Sequence, residues 1–257
     1  MLESLLEKAK NRQNHKEEFE AFKESEFHKD LDLKENFELL DKLFEGVYLL
    51  EDYQAKIKDQ VLAQGELIAI KALTKALSTQ GITAQAIDSR ELFVTDSNYG
   101  DAQILNQDSK LKTQTYFQTI DKEIIPIVSG FIASDETGNT TTLGRNGSNY
   151  SAALLADYLQ AKELQNFTHV DGIFTANPDW IKDARIIDSL SYEEANELAT
   201  FGANILHAKT ILPLVENQIP LRIYNTFNPK NGGTLISNES TKAGIKAITI
   251  DNNIALL

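Results

Sequence analysis

The sequence contains no cysteine. Disulfides and thiolate metal sites are thereby excluded. It also has no long apolar run and no charged-then-apolar opening segment, so the expectation is a soluble, cytoplasmic protein. Cationic residues are in deficit, with 25 Lys and Arg against 38 Asp and Glu and a net charge of −13. Nucleic acid and anionic membrane both require a basic face, so neither is an expected partner. A small anionic ligand is not excluded, because one local cation can reverse the potential of a pocket. No internal repeat is visible. His15, His28, His169 and His207 are too scattered for metal-ligand spacing, no Ser/His/Asp order stands out, and no metal site is expected.

What is present is a chain of 257 residues, 42% hydrophobic, long enough for one large α/β domain or two small ones. Leu2, Leu5, Leu6 and Ala9 recur at helical spacing. Residues 11–32 are mostly charged, with Phe19, Phe22 and Phe27 as sparse anchors, and read as a solvated helical excursion or a mobile surface segment. Leu33, Phe37, Leu40, Phe44 and Val47 predict a helix ending near Gly46. Another is predicted over residues 53–78 with Gly81 as its stop. Inside it, Gly65 costs helix stability and suggests close approach by a ligand or another backbone. Glu66 beside it is either a pocket group or an exposed glutamate.

Alternation predicts a strand over residues 82–87, and Val94-Thr95-Asp96 follows a further short apolar run. The Asn- and Asp-rich stretch that follows, to Gln118, has too little apolar content to be core. Residues 124–133 read as one strand buried on both faces, and 135–139 as a turn into a strand at 140–143. The stretch Gly144-Arg145-Asn146-Gly147-Ser148-Asn149-Tyr150-Ser151 then leads into a helix over 152–164. A glycine-bearing turn at a helix N-terminus offers amide donors to an anion, and Arg145 adds a cation; an ordinary turn has the same spacing. After a strand at 166–170, Asp171-Gly172 and the loop to Pro178 read as a ligand loop at a strand's carboxyl end or as a hairpin turn. Ser191-Tyr192-Glu193-Glu194 is a capping box for a helix through Phe201, stopped by Gly202. A helix at 206–216, a strand at 221–224, a tight turn at 231–233 and strands at 247–250 and 254–257 complete the pattern. Helices alternating with apolar strands predict an α/β layered sheet.

Several segments together resemble the aspartate kinases. They are Pro126-Ile127-Val128-Ser129-Gly130-Phe131-Ile132-Ala133, Thr141-Thr142-Leu143 with the glycine turn through Ala152, Val170-Asp171-Gly172-Ile173-Phe174-Thr175, and Phe201-Gly202-Ala203-Asn204-Ile205-Leu206-His207. Gln64-Gly65-Glu66, Thr95-Asp96 and Asn225-Thr226 fall in the expected order between them, and the form is most similar to the kinase part of bifunctional aspartokinase/homoserine dehydrogenases. The resemblance implies the amino-acid kinase fold, a three-layer α/β/α sandwich on a mainly parallel sheet. It implies residues 1–240 as the catalytic domain, helical over 1–50, and 241–257 as a linker and the start of a regulatory ACT domain. The leading Lys-Phe-Gly-Gly-Thr-Ser strand of that family has no counterpart in this chain.

The same resemblance implies transfer of the ATP γ-phosphoryl to the β-carboxylate of L-aspartate, with Mg2+, in lysine, threonine and methionine biosynthesis. Arg145, Asn146, Gly147 and Ser148 would hold aspartate, Glu66 would grip its amino group, and Arg145 and Glu66 would serve catalysis. Thr168, His169, Phe174, Asn204 and Ile205 would surround the nucleotide. A homo-oligomer is implied, dimers being common in the family. The chain departs from the family pattern at Gln64, Asn149, His169, Phe174, Asp179 and Asn204; two of these changes remove cations and Asp179 adds an anion on the nucleotide side. The alternative reading is a non-catalytic kinase-like domain that binds aspartate or nucleotide in a fused homoserine dehydrogenase. A third is a kinase of the same fold acting on another carboxylate or a carbamate.

Overall fold

The computed structural model describes residues 1–200, 208–239 and 244–248. The chain divides into two compact units, Met1–Ser148 and Asn149–Leu257.

The first unit opens with helices α1 (Leu2–Lys10), α2 (Lys16–Lys23), α3 (Lys34–Leu50) and α4 (Ala55–Thr79). The apolar stripe of α1 is buried as its spacing predicts, and it packs with Phe19, Leu40, Phe44, Val47 and Val61. The charged segment 11–32 has more order than its composition suggests. Phe19 stands edge-on to Phe44 with centroids 5.1 Å apart, and Phe22 meets the His28 ring at 4.4 Å. Phe27 is no anchor, being 74% exposed. Helix α3 also corrects its expected end: it runs through Gly46 to Leu50 and stops at Glu51, φ 57°. Burial of Phe44 and Val47 on either side outweighs the helix cost of one glycine, about 1 kcal/mol.

At Gly65 in α4 no backbone atom of another described element crowds the Cβ position. A Cβ built there would lie 3.5 Å from Leu2 Cδ1, an ordinary contact against α1. Gly65→Ala is therefore expected to stabilise the fold by about 0.5–1 kcal/mol. A rise in melting temperature checks this, and a fall would overturn it.

Strands β1 (Ala84–Ile87), β2 (Val94–Thr95), β3 (Ile125–Val128), β4 (Ile132–Asp135) and β5 (Thr140–Thr142) and helix α5 (Asn106–Gln118) complete this unit. The run 124–133 is not one strand. It breaks at Ser129-Gly130-Phe131, where Phe131 has φ 69°, and its halves join different sheets, β1-β3 and β2-β4-β5. Ser129 Oγ accepts from Ser89 N at 2.9 Å, and Ser89 Oγ donates to Ile132 O at 2.7 Å, holding the break from both sides. The polar stretch before Gln118 likewise contains a helix. Ser109 on α5 fastens it by bonding both Val94 N and Val94 O, so a buried hydroxyl takes the place of the apolar stripe that periodicity detects.

The second unit holds most of α6 (Gly147–Tyr158), then β6 (Leu164–Thr168), β7 (Ser189–Ser191), α7 (Tyr192–Thr200), α8 (Ala208–Glu216), β8 (Leu221–Asn225) and β9 (Thr234–Ser237). Helix α6 begins before Ala152 and ends at Tyr158, so Leu164 opens a strand instead of closing a helix. The sheet order is β6-β8-β9-β7, with β6-β8 and β7-β9 parallel and β8-β9 antiparallel. Ala153, Ala195, Ile211 and Leu214 pack with Leu190, Leu221, Ile223 and Ile236. The capping box forms reciprocally: Ser191 N donates to Glu194 Oε2 at 2.8 Å and Glu194 N to Ser191 Oγ at 3.1 Å. Residues 247 and 248 are not strand; Ile248 N donates to Thr175 O at 2.9 Å. The helix stop at Gly202 and residues 249–257 lie outside the described residues.

Candidate functional site

The Gly144–Ser148 stretch leaves β5 and becomes the first turn of α6. Gly144 has φ 72° and Asn146 φ 59°, so two left-handed residues flank Arg145 and turn the chain sharply. Gly147 N closes the turn on Gly144 O at 3.0 Å. A Cβ at Gly144 would meet Asp101 Oδ1 at 2.5 Å, and one at Gly130 would meet Ser148 Cα at 2.9 Å. The loop is thus wedged between the Asp101 segment and the strand break at Gly130. Arg145 is exposed and has no hydrogen bond or ion pair among the described residues; Asn146 is half-buried, Gly147 buried and Ser148 exposed.

Glu66 belongs to the helix packed on this region. Helix α4 sets Ala63, Leu67 and Ile70 against Ile132, with Phe131 at the margin. Glu66 is half-buried and has no hydrogen-bond partner among the described residues. Burial pushes its carboxyl above the ordinary glutamate range. An incoming ammonium group would supply the missing partner.

The neighbouring turn is held by Asp135, whose carboxylate accepts from Thr137 N, Asn139 N, Ser97 Oγ and Tyr99 OH. Burial alone would raise its pKa, but donors from Asn139, Thr137 and Tyr99 outweigh it and hold the carboxyl below the usual range.

The residues expected around a nucleotide lie in the second unit. Thr168 ends β6, and its Oγ1 is 3.4 Å from Nδ1 of His169, which is exposed. The next turn is the predicted Asp171-Gly172 turn, where Asp171 Oδ1 accepts from Asn225 Nδ2 at 2.8 Å. Ile173 N donates to Thr234 Oγ1 at 2.8 Å, and half-buried Phe174 bridges to Ile186. This loop follows the carboxyl end of a parallel strand, where open α/β sheets bind ligands. Asp179 is exposed. Asn204 and Ile205 lie outside the described residues.

Asp59 and Asp101 carry no motif of their own, yet they touch the glycine turn or the strand before it. Asp59 is seven residues before Glu66, a spacing that puts both on one face of α4; Asp101 has no local signal.

The family model of the amino acid kinase family matches residues 4–225. A bifunctional aspartokinase/homoserine dehydrogenase of Buchnera aphidicola subsp. Acyrthosiphon pisum is 35% identical over 89% of this chain and 28% of its own length. Lysine-sensitive aspartokinase 3 of Escherichia coli is 34% identical over 86% of this chain and 50% of its own length. The chain therefore spans half or less of these relatives. The crystal structure of E. coli aspartokinase III in complex with aspartate and ADP superposes with a TM-score of 0.83 at 31% identity, covering 93% of this chain and 56% of that one. The chain belongs to the amino acid kinase family and has its fold, with a kinase domain of the aspartokinase type.

Proposed function

We propose that the chain transfers the γ-phosphoryl group of ATP to the β-carboxylate of L-aspartate. The observation behind this reading is Glu66, a half-buried carboxylate without a partner among the described residues, on the helix packed against the strands that lead into the Arg145 turn. A zwitterionic amino acid offers the matching ammonium and carboxylate. The aspartate and ADP bound in the E. coli aspartokinase III structure support the choice of ligands.

In this reading Arg145, with Asn146, Gly147 and Ser148, holds the aspartate carboxylates, and Glu66 holds the ammonium. A carboxylate is already nucleophilic near neutral pH, so no general base is needed. One carboxylate oxygen attacks the γ-phosphorus, the bond to the β–γ bridging oxygen breaks, and ADP leaves with the electron pair. Thr168, His169 and Phe174, with Asn204 and Ile205, line the nucleotide side. No group of three or more acidic or histidine side chains forms a metal pocket among the described residues. Mg2+ would arrive on the nucleotide phosphates, where it neutralises charge. The product would feed lysine, threonine and methionine synthesis in the cytoplasm, from a homo-oligomeric enzyme.

The second reading, aspartate binding without turnover, is favoured by Asp179, an exposed carboxylate where the aspartokinase pattern has arginine. Incubation with L-aspartate, MgATP and hydroxylamine separates the two. The kinase yields the aspartyl hydroxamate and shows calorimetric heats with both ligands. Heat with aspartate alone and no hydroxamate would leave the binding reading in its place. Binding of glutamate or a carbamate in preference to aspartate would redirect the substrate assignment.

A further inference from the structure

Asp59 is 1% exposed, yet it is a carboxylate in the second turn of α4. Its burial is compensated by three donors from elsewhere in the first unit. Thr142 N reaches Asp59 Oδ2 at 3.0 Å, Thr142 Oγ1 reaches Oδ1 at 2.8 Å, and Gly100 N reaches Oδ2 at 2.9 Å. Burial pushes the carboxyl up, opposed by the Thr142 hydroxyl and the Gly100 and Thr142 amides.

Each contact leads to the candidate amino-acid site. Thr142 is the last residue of β5, and Leu143, Gly144 and Arg145 follow it directly. Its carbonyl is taken by Ala102 N at 2.9 Å and the next amide, Leu143 N, by Phe131 O at 2.9 Å, so the entry to the turn is held on every side. Gly100 precedes Asp101, whose carboxylate sits where a Cβ on Gly144 would go. Along α4, Glu66 is seven residues beyond Asp59, on the same face and about 10 Å further along the axis.

We infer that Asp59 is a positioning residue that fixes the Arg145 turn relative to Glu66, and so sets the spacing between the carboxylate-binding and ammonium-binding halves of the site. This rests on the aspartate reading given above. Asp59 itself is covered by Thr142 and Gly100 and acts through them.

The test uses the full chain with two readouts, calorimetric affinity for L-aspartate and the rate of tryptic cleavage after Arg145, the latter independent of any ligand. Asp59→Ala leaves two amides and a hydroxyl without their acceptor; aspartate affinity is expected to fall about tenfold or more, with faster cleavage after Arg145 and unchanged cleavage after exposed Arg12. Asp59→Asn keeps the shape. Its carbonyl oxygen can accept from both amides and its amide can donate to the Thr142 hydroxyl, so affinity and cleavage should return to near the parent values. Should Asp59→Ala fail to fold, Thr142→Val removes only the hydroxyl bond and is expected to weaken aspartate about threefold.

Parent-like affinity and cleavage in Asp59→Ala, or in Thr142→Val if that variant has to stand in, would overturn the inference. So would equal acceleration at Arg12, which signals general loosening, or an Asp59→Asn variant as weak as Asp59→Ala, which signals a need for the charge itself. If the parent chain binds no aspartate, the substrate reading fails, while protection at Arg145 still decides whether Asp59 anchors the turn.

Discussion

Arg145→Ala is expected to abolish measurable L-aspartate binding while leaving stability within about 0.5 kcal/mol of the parent. The two halves of this expectation have one cause. Arg145 is held by its backbone, between left-handed Gly144 and Asn146, while its exposed guanidinium touches no acidic partner among the described residues. Removing the side chain therefore costs the fold little. For a bound carboxylate the loss is large, because truncating one partner of a charge-assisted pair costs about 2–5 kcal/mol, roughly 30-fold to several thousandfold in affinity. Lysine should recover only part of it, since an ammonium lacks the planar fork. Calorimetry paired with thermal unfolding checks both halves. Unchanged affinity would remove Arg145 from the site, and a large drop in stability would show that the guanidinium has a structural contact.

Gly233→Ala is expected to have the largest effect on stability, about 3 kcal/mol or more from backbone strain and overpacking together. Gly233 has φ 66°, and a Cβ there would lie within bonding range of Ile223 O. That carbonyl cannot retreat, because Ile223 is paired with Asn166 of β6 on one side and Thr234 of β9 on the other. Neighbouring Gly232 has φ 51° but open space around its Cβ position, so Gly232→Ala should cost only the left-handed strain, about 1–2 kcal/mol. The damage at Gly233 should also reach the loop after β6, because Thr234 Oγ1 holds the amide of Ile173 next to Phe174. Urea unfolding of the two variants side by side decides the matter; equal costs would mean that crowding at Ile223 is not the reason.

The turn around Arg145 and its passage into α6 were legible because their signals are local. Gly144 and Asn146, which bend the chain, flank Arg145 directly, and the helix they feed follows at once. The capping box at Ser191 and Glu194 and the stripe of α1 were legible for the same reason: each is a pattern within one or two helical turns. The strand break at Gly130 was not, because an apolar run of that length looks the same whether it stays in one sheet or passes between two. Nor was α5, whose anchor is the Ser109 hydroxyl and leaves no hydrophobic period to find.

By itself the sequence determined the order of motifs, the local elements built on helical spacing, and the residue types carried by the turn before α6. Only the tertiary structure decided how those elements are spaced, and Asp59 shows why. It is one of many acidic residues on a helix until Thr142, 83 positions away, donates both its amide and its hydroxyl to it. A contact across that distance leaves no mark on local periodicity, because it is set by loop closure and packing after the helices and strands exist.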